Sequence, residues 1–159
     1  MPLRNNVTRL LASRKIKYAL FEFSPEKHSA EETAALLGVP EDHVYKTLVV
    51  LRDVRGKKPL LVMVPAGREL NLKALAASLG EKKLKMATQR EAEELTGLQA
   101  GGISALALLN RGFEICIECA ALALPPAGIH ISAGQRGANI RLAVQDLMAL
   151  TNAKPVETG

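Results

Sequence analysis

Two nearly unbroken apolar runs, YKTLVVLR (45–52) and PLLVMV (59–64), limit what this chain can become. Both are rich in β-branched residues or Leu, and neither shows the clean wet-and-dry alternation of a half-exposed strand, so both read as central strands. The turn-forming segment DVRGKKP (53–59) between them makes a hairpin with a long loop. Central strands need cover, which the flanking sequence supplies as helices. SAEETAALLG (29–38) carries a capping box, Ser29 with Glu32, and Gly38 as terminator. NLKALAASLG (71–80) repeats the logic with Asn71 and Gly80, and TQREAEELTG (88–97) with Thr88, Glu91 and Gly97. NVTRLLASR (6–14) reads as a short opening helix behind an Asn6 cap, IKYALFEF (16–23) as a strand, and KKLKMA (82–87) as one short strand.

The second half changes character. FEICIEC (113–119), GIHISA (128–133) and NIRLAV (139–144) are β-rich and separated by Pro and Gly clusters, before QDLMALTNAK (145–154) closes helically. KPVETG (154–159) reads as a loose tail. Helices alternate with strands early and strands cluster late, so the expected class is α+β, with a curled, mixed, barrel-like sheet and flanking short helices. At 159 residues, 48% of them hydrophobic, residues 1–159 are expected to form one domain around one core. The first twenty residues lack the apolar stretch of a signal peptide. No later segment approaches the roughly 20 apolar residues of a membrane span, so a cytoplasmic protein is expected.

The charge balance, 21 Lys and Arg against 16 Asp and Glu, favours an anionic partner without identifying it. With no Trp, two Tyr and three Phe, the chain lacks platforms for stacking single-stranded bases. Cys116 and Cys119 spell C-x-x-C, but residues three apart on a strand point to opposite faces, and no second Cys pair or His cluster completes a zinc set. Free thiols are expected, with no metal and no cofactor. His28, His43 and His130 stand at no triad or H-E-x-x-H spacing. LQAGGISALAL (98–108) and ISAGQRGAN (131–139) are glycine-rich loops whose backbone could approach a ligand, although glycines serve turns equally well. Lys46, at the start of a central strand, is either a solvated strand-end stem or a functional amine, and composition leaves both open.

The order VYKTLVV, VPAGRELNLKALAASLG, GGIS and SAGQRG over residues 44–137 resembles the YbaK family of aminoacyl-tRNA deacylases, freestanding relatives of the editing domain inserted in some prolyl-tRNA synthetases. The resemblance extends from about residue 7 to 150. It implies removal of cysteine from mischarged Cys-tRNA(Pro), with the tRNA acceptor CCA end as partner and prolyl-tRNA synthetase as a possible second one. Cys-tRNA(Cys), hydrolysis of Ala-tRNA(Pro), and a non-catalytic tRNA- or nucleotide-binding module are the alternatives. It places the invariant lysine on Lys46 and the substrate loop on Gly101, Gly102, Ile103 and Ser104. The second loop falls on Ser132, Gly134, Arg136 and Gly137, with Phe23, Thr47 and Asn139 as further substrate contacts. In the implied mechanism the cysteinyl thiol attacks its own ester while main-chain N–H groups around Gly101 and Gly102 meet the developing oxyanion. Lys46 anchors the CCA end. The chain departs from the family at Ala105, Leu106 and Ala107, where Pro-Leu-Gly is usual. It departs again at Phe23, where a tyrosine is usual, at Asn139, where an acid or Gln is common, and in a shortened segment from Ser24 to Thr33. These departures bear on amino-acid preference more than on reaction class.

Overall fold

The structure, a computed structural model, describes residues 4–53, 55–126 and 128–159; residue 54 of the expected turn segment lies outside them. Its helices are α1 (Asn6–Ser13), α2 (Ala30–Leu37), α3 (Leu72–Leu79), α4 (Gln89–Thr96) and α5 (Val144–Thr151). Its strands are β1 (Tyr18–Glu22), β2 (Tyr45–Arg52), β3 (Leu60–Pro65), β4 (Leu84–Met86), β5 (Glu114–Glu118), β6 (Ile129–Ser132), β7 (Ala138–Leu142) and β8 (Lys154–Val156). Single 3₁₀ turns cover Glu41–His43, Ala105–Leu108 and Cys119–Ala123.

Local chemistry sets the helix ends. Ser29 with Glu32 and Thr88 with Glu91 form the reciprocal boxes that their spacing predicts. α1 is capped by Asn5 rather than Asn6, because Asn5 finds a reciprocating partner in Thr8. A cap at Asn6 would put Arg9 at that position, and a guanidinium has no lone pair with which to accept the returning N–H. α2, α3 and α4 end on left-handed glycines, Gly38, Gly80 and Gly97. Helix α1 instead turns at Lys15, whose φ is +56°. A side chain in that region costs about 1–2 kcal/mol.

The strands form two sheets and not one. The larger has the order β4-β2-β3-β5-β8, with β2 antiparallel to β3 and β4, and β5 parallel to both β3 and β8. The smaller is an antiparallel trio, β1-β7-β6. A lone bridge, Val44 to His130, joins them, and neither sheet closes, so the α+β class stands and the barrel-like curl does not. The physical reason is a long-range pairing: β1, from the first part of the chain, captures β7 and draws β6 with it, while β5 leaves to pair with β3.

β3 is buried along its whole length. Leu61 and Met63 face one cluster, which includes Ile115, Ile117, Ile131 and Ile140, while Leu60, Val62 and Val64 face another beneath Leu75 of α3. A third small cluster, Ala34, Val44 and Ala66, sits under α2. The single core expected from composition is therefore divided by the larger sheet, which explains why the 59–64 run lacks alternation. Among the described residues no helix is long and apolar enough to cross a membrane.

The C-terminal segment is not a loose tail. β8 lies parallel against β5, pairing Cys116 with Lys154 and Glu118 with Val156. The Asn71 N–H donates to the Thr158 carbonyl at 2.8 Å, and the Glu157 N–H to Ser78 Oγ at 2.9 Å. Pro155 is tolerated because β8 is an edge strand. Truncation after Ala153 should lower stability by at least about 2 kcal/mol, from the lost burial of Val156 and these hydrogen bonds. It should also open Cys116, now fully buried with its thiol pushed up to about 11, to a thiol reagent under native conditions. Denaturant midpoints and thiol counting check both; an inert Cys116 in the truncated chain would contradict the β8 placement.

Candidate active site

The site begins with an incomplete strand pairing. β4 pairs with β2 only at Val50, Leu51 and Arg52, leaving the same edge of residues 45–49 without a neighbouring strand. The Ala87 N–H closes the pairing on the Val49 carbonyl at 3.1 Å, while the Val44 carbonyl turns the other way and accepts from Ala66. The two-residue repeat of a strand then aims the main-chain N–H and C=O of Thr47 at the open edge. Along this edge runs a cleft of about 430 Å³. Phe23, 26–31 and Thr33 form one wall, Met86–Gln89 with Ala92 another, and Ala100, Gly101, Ile103, Ser132 and 137–139 the far side.

Phe23, Lys46, Thr47, Gly101, Ile103, Ser132, Gly137 and Asn139 all line this one concavity. Among the described residues the Lys46 amine reaches only a long hydrogen bond to the Ala66 carbonyl, 3.5 Å, which leaves it available to a ligand. Lys27, which no motif singles out, crosses the mouth and donates to Gln89 Oε1 at 2.8 Å. The Phe23 ring meets His28 edge-on at 5.3 Å. Tyr45 also borders the cleft, but burial, with Glu118 adding, pushes its phenol up to about 12, so it is no base at neutral pH.

Gly102, Ser104, Gly134 and Arg136 stand behind the wall rather than in it. A Cβ on Gly102 would lie 2.8–2.9 Å from main-chain atoms of Gln135 and Arg136, so this glycine lets the two loops touch. Arg136 Nε donates to the Ala100 carbonyl at 2.7 Å, tying the same loops together. Gly134 packs on Val7 and Ala107. Ser104 is fully buried, and Ala105 and Leu106 follow it into the core at the start of a 3₁₀ turn, Ala105 standing where the resemblance expects proline and Ala107 where it expects glycine. Gly101, at φ +89°, needs glycine for its backbone, although a Cβ there would meet only ordinary contacts, Lys27 at 3.5 Å and Arg136 at 3.7 Å.

Asn139 is oriented from behind. Its Oδ1 accepts from His130 Nδ1 at 3.2 Å, and both residues are under 5% exposed. The amide oxygen cannot donate, so the imidazole carries its proton on Nδ1 and the Asn139 NH₂ is left for the cleft. Burial pushes the imidazole below its ordinary value; Asn139 opposes this, while Arg141 and His43 add to the fall. A lone histidine gives no motif signal, but the alternation Ile129, His130, Ile131 already puts it on the face opposite the core. Cys116 and Cys119 are both free: Cys116 points into the core from β5, and Cys119 begins a 3₁₀ turn, its thiol 3.4 Å from Glu157 Oε1.

Gly102→Ala should force the loops apart and destabilise the fold by about 1–3 kcal/mol, read as a denaturant midpoint; an unchanged midpoint would deny the loop contact. His130 makes stability depend on pH. Its folded value lies below the unfolded one of about 6.5, so below that pH the unfolded chain takes up the proton first. The contribution is complete above pH ~6.5 and is lost as pH falls through the folded value. The drop in thermal midpoint on acidification should therefore be smaller in His130→Gln.

The model of the aminoacyl-tRNA editing domain matches residues 24–150. The Enterococcus faecalis protein EbsC, provisionally named a Cys-tRNA(Pro)/Cys-tRNA(Cys) deacylase, is 34% identical over 156 residues, 97% of this chain and 92% of that protein. The proline–tRNA ligase of Thermodesulfovibrio yellowstonii is 39% identical over 79 residues, 50% of this chain and 13% of the ligase. A crystal structure provisionally described as a trans-editing enzyme for prolyl tRNA synthetase shares the fold, with a TM-score of 0.79 at 24% identity over 99% of this chain and 98% of that one. With its model spanning nearly every residue that builds the cleft, the aminoacyl-tRNA editing domain is the family to which this chain belongs.

Proposed function

We propose that this protein is a trans-editing deacylase that removes cysteine from mischarged Cys-tRNA(Pro), and from Cys-tRNA(Cys) where the tRNA body is not discriminated. The observation that carries this reading is one cleft in which the Lys46 amine, the open main-chain edge at Thr47, the Gly101 turn and the Asn139 amide converge. Among the described lining residues there is no Ser–His or Cys–His pair. His28 is engaged with Ser24, which stands outside the cleft, and Ser29 is spent on capping α2.

A site without its own nucleophile suits a substrate that brings one. The cysteinyl sulfur attacks the ester carbonyl, forming the C–S bond; the ester C–O bond then breaks, and the thiol proton leaves with the ribose oxygen. The products are a thiolactone and uncharged tRNA, so the step needs no co-reactant. Holding thiol and carbonyl in attack geometry supplies most of the acceleration. Phe23, Met86, Ala92 and Ile103 give the cleft an apolar lining suited to a small uncharged side chain. The main-chain groups of Thr47 and Gly101 and the Asn139 NH₂ are the donors nearest to hand for the developing oxyanion, each such donor typically worth about 3 kcal/mol. Lys46 anchors the terminal adenosine as a point charge. Kinship with a segment of proline–tRNA ligases fits action, in the cytoplasm, on products of prolyl-tRNA synthetase.

Lys46→Ala should lower deacylation of Cys-tRNA(Pro) at least tenfold while leaving the thermal midpoint close to wild type, since its one hydrogen bond is long. Unchanged turnover would remove Lys46 from the site. Cys-tRNA(Pro), Cys-tRNA(Cys), Ser-tRNA and Ala-tRNA(Pro) compared side by side should show fast release only of cysteine, with a thiolactone trapped by hydroxylamine. Equal rates for Ser-tRNA, or free amino acid without thiolactone, would replace the substrate thiol with water. Binding without multiple turnover would make the protein a tRNA-binding module.

A further inference from the structure

A second depression, about 540 Å³, opens at the other end of the small sheet between the α1–β1 turn and the β7–α5 junction. Arg14, Lys15, Lys17 and Arg141 line it, with Asp146 the one carboxylate among the described lining residues. None of the four cations makes an ion pair among the described residues, so the fold does not use their charge in that way. The furrow adjoins the cleft. Arg141 and Asn139 are two residues apart on β7, on one face and about 7 Å from each other along the strand. Arg141 lies over the Phe21 ring at 5.8 Å, and Phe21 contacts His130, the partner of Asn139, at 5.5 Å.

Two observations point to an anion. The mouth and lining of the cleft carry Lys27 and Lys46 against Glu26 and Glu31, an even balance that gives little attraction for a polyanion. The furrow, four against one, has the surplus. In addition, Lys15 holds a left-handed backbone in the position where α2, α3 and α4 use glycine. Cations near the C-terminus of α1 favour its dipole, but that accounts for neither Lys17 nor Arg141. A strained residue kept with its charge at such a point is a signature of use.

We infer that this furrow seats backbone phosphates of the tRNA acceptor stem whose aminoacyl end occupies the cleft, an inference that rests on the editing reading of that cleft. Phosphate contacts position the duplex and are read as salt dependence, not as sequence preference. The experiment uses uncharged tRNA(Pro) transcript in a salt titration of binding, beside turnover of 3′-cysteinyl adenosine, which has no backbone phosphate to offer the furrow.

Lys15→Glu with Lys17→Glu should weaken tRNA binding about tenfold or more and flatten the log–log salt slope by about 2, with cysteinyl-adenosine turnover within about twofold of wild type. Lys15→Gly should flatten the slope by about 1 while its thermal midpoint stays at or above wild type, because glycine relieves the strained backbone. Folded variants with wild-type tRNA binding and slope would overturn the inference, as would cysteinyl-adenosine turnover that falls in step with tRNA binding. If wild type releases no cysteine from cysteinyl adenosine or from Cys-tRNA(Pro) while the variants still lose salt-dependent tRNA binding, the deacylase reading fails and the furrow stands.

Discussion

The length of β4 governs this molecule. An unpaired strand edge is ordinarily a hazard, since its main-chain groups invite another chain. Here β4 ends at Met86, one last hydrogen bond forms from Ala87 to Val49, and Thr88 starts α4 at once. The capping box that fixes α4 therefore also stops β4 from running further along β2. The exposed edge is sheltered by the 23–33 segment and the glycine loops instead of by a strand. A longer β4 would make a better sheet and abolish the cleft.

The far wall depends on a close approach that only glycine permits. Gly102 brings the 98–104 loop against the main chain of Gln135 and Arg136, and Arg136 clamps the contact through the Ala100 carbonyl. An arginine between two glycines looks like a phosphate ligand when read along the chain. In three dimensions its Nε is engaged by the Ala100 carbonyl, so at least part of the guanidinium serves the contact between the two loops. Without proline after Ser104, the turn is held instead by Ala105, Leu106 and Leu108, all buried in the core.

What was legible in the sequence follows interaction range. Caps and terminators act over three or four residues, so Ser29 with Glu32, Thr88 with Glu91, and Gly38, Gly80 and Gly97 could be placed from spacing alone. The N-terminal cap slipped by one because two asparagines compete and the reciprocity of Thr8 decides between them. Pairings between distant segments left no local trace: β1 with β7, and β8 with β5, each depend on residues far apart in the chain. That is why a split pair of sheets read as one curled sheet and an edge strand read as a tail. For the site, the order of motifs picked out the lining positions Lys46, Gly101, Ser132 and Asn139. It could not separate them from the supports Gly102, Ser104, Gly134 and Arg136, since burial and facing are tertiary facts. His130 escaped because a single buried imidazole has no spacing to recognise.

The division of charge explains how so small a domain can use so little chemical equipment. If the reacting thiol belongs to the substrate, the cleft needs shape, a few fixed donors and exclusion of water, and a strongly cationic pocket would work against it by also holding the uncharged product. The balanced pairs Lys27 and Lys46, Glu26 and Glu31, meet that requirement. Affinity for a polyanion must then come from outside the cleft, where contacts are blind to what the 3′ end carries. Arg14, Lys15, Lys17 and Arg141 are placed to supply it, on the same small sheet that carries Asn139. On that reading, discrimination between charged and uncharged ends falls to the neutral cleft and capture to the basic furrow, the two joined through Arg141, Phe21, His130 and Asn139.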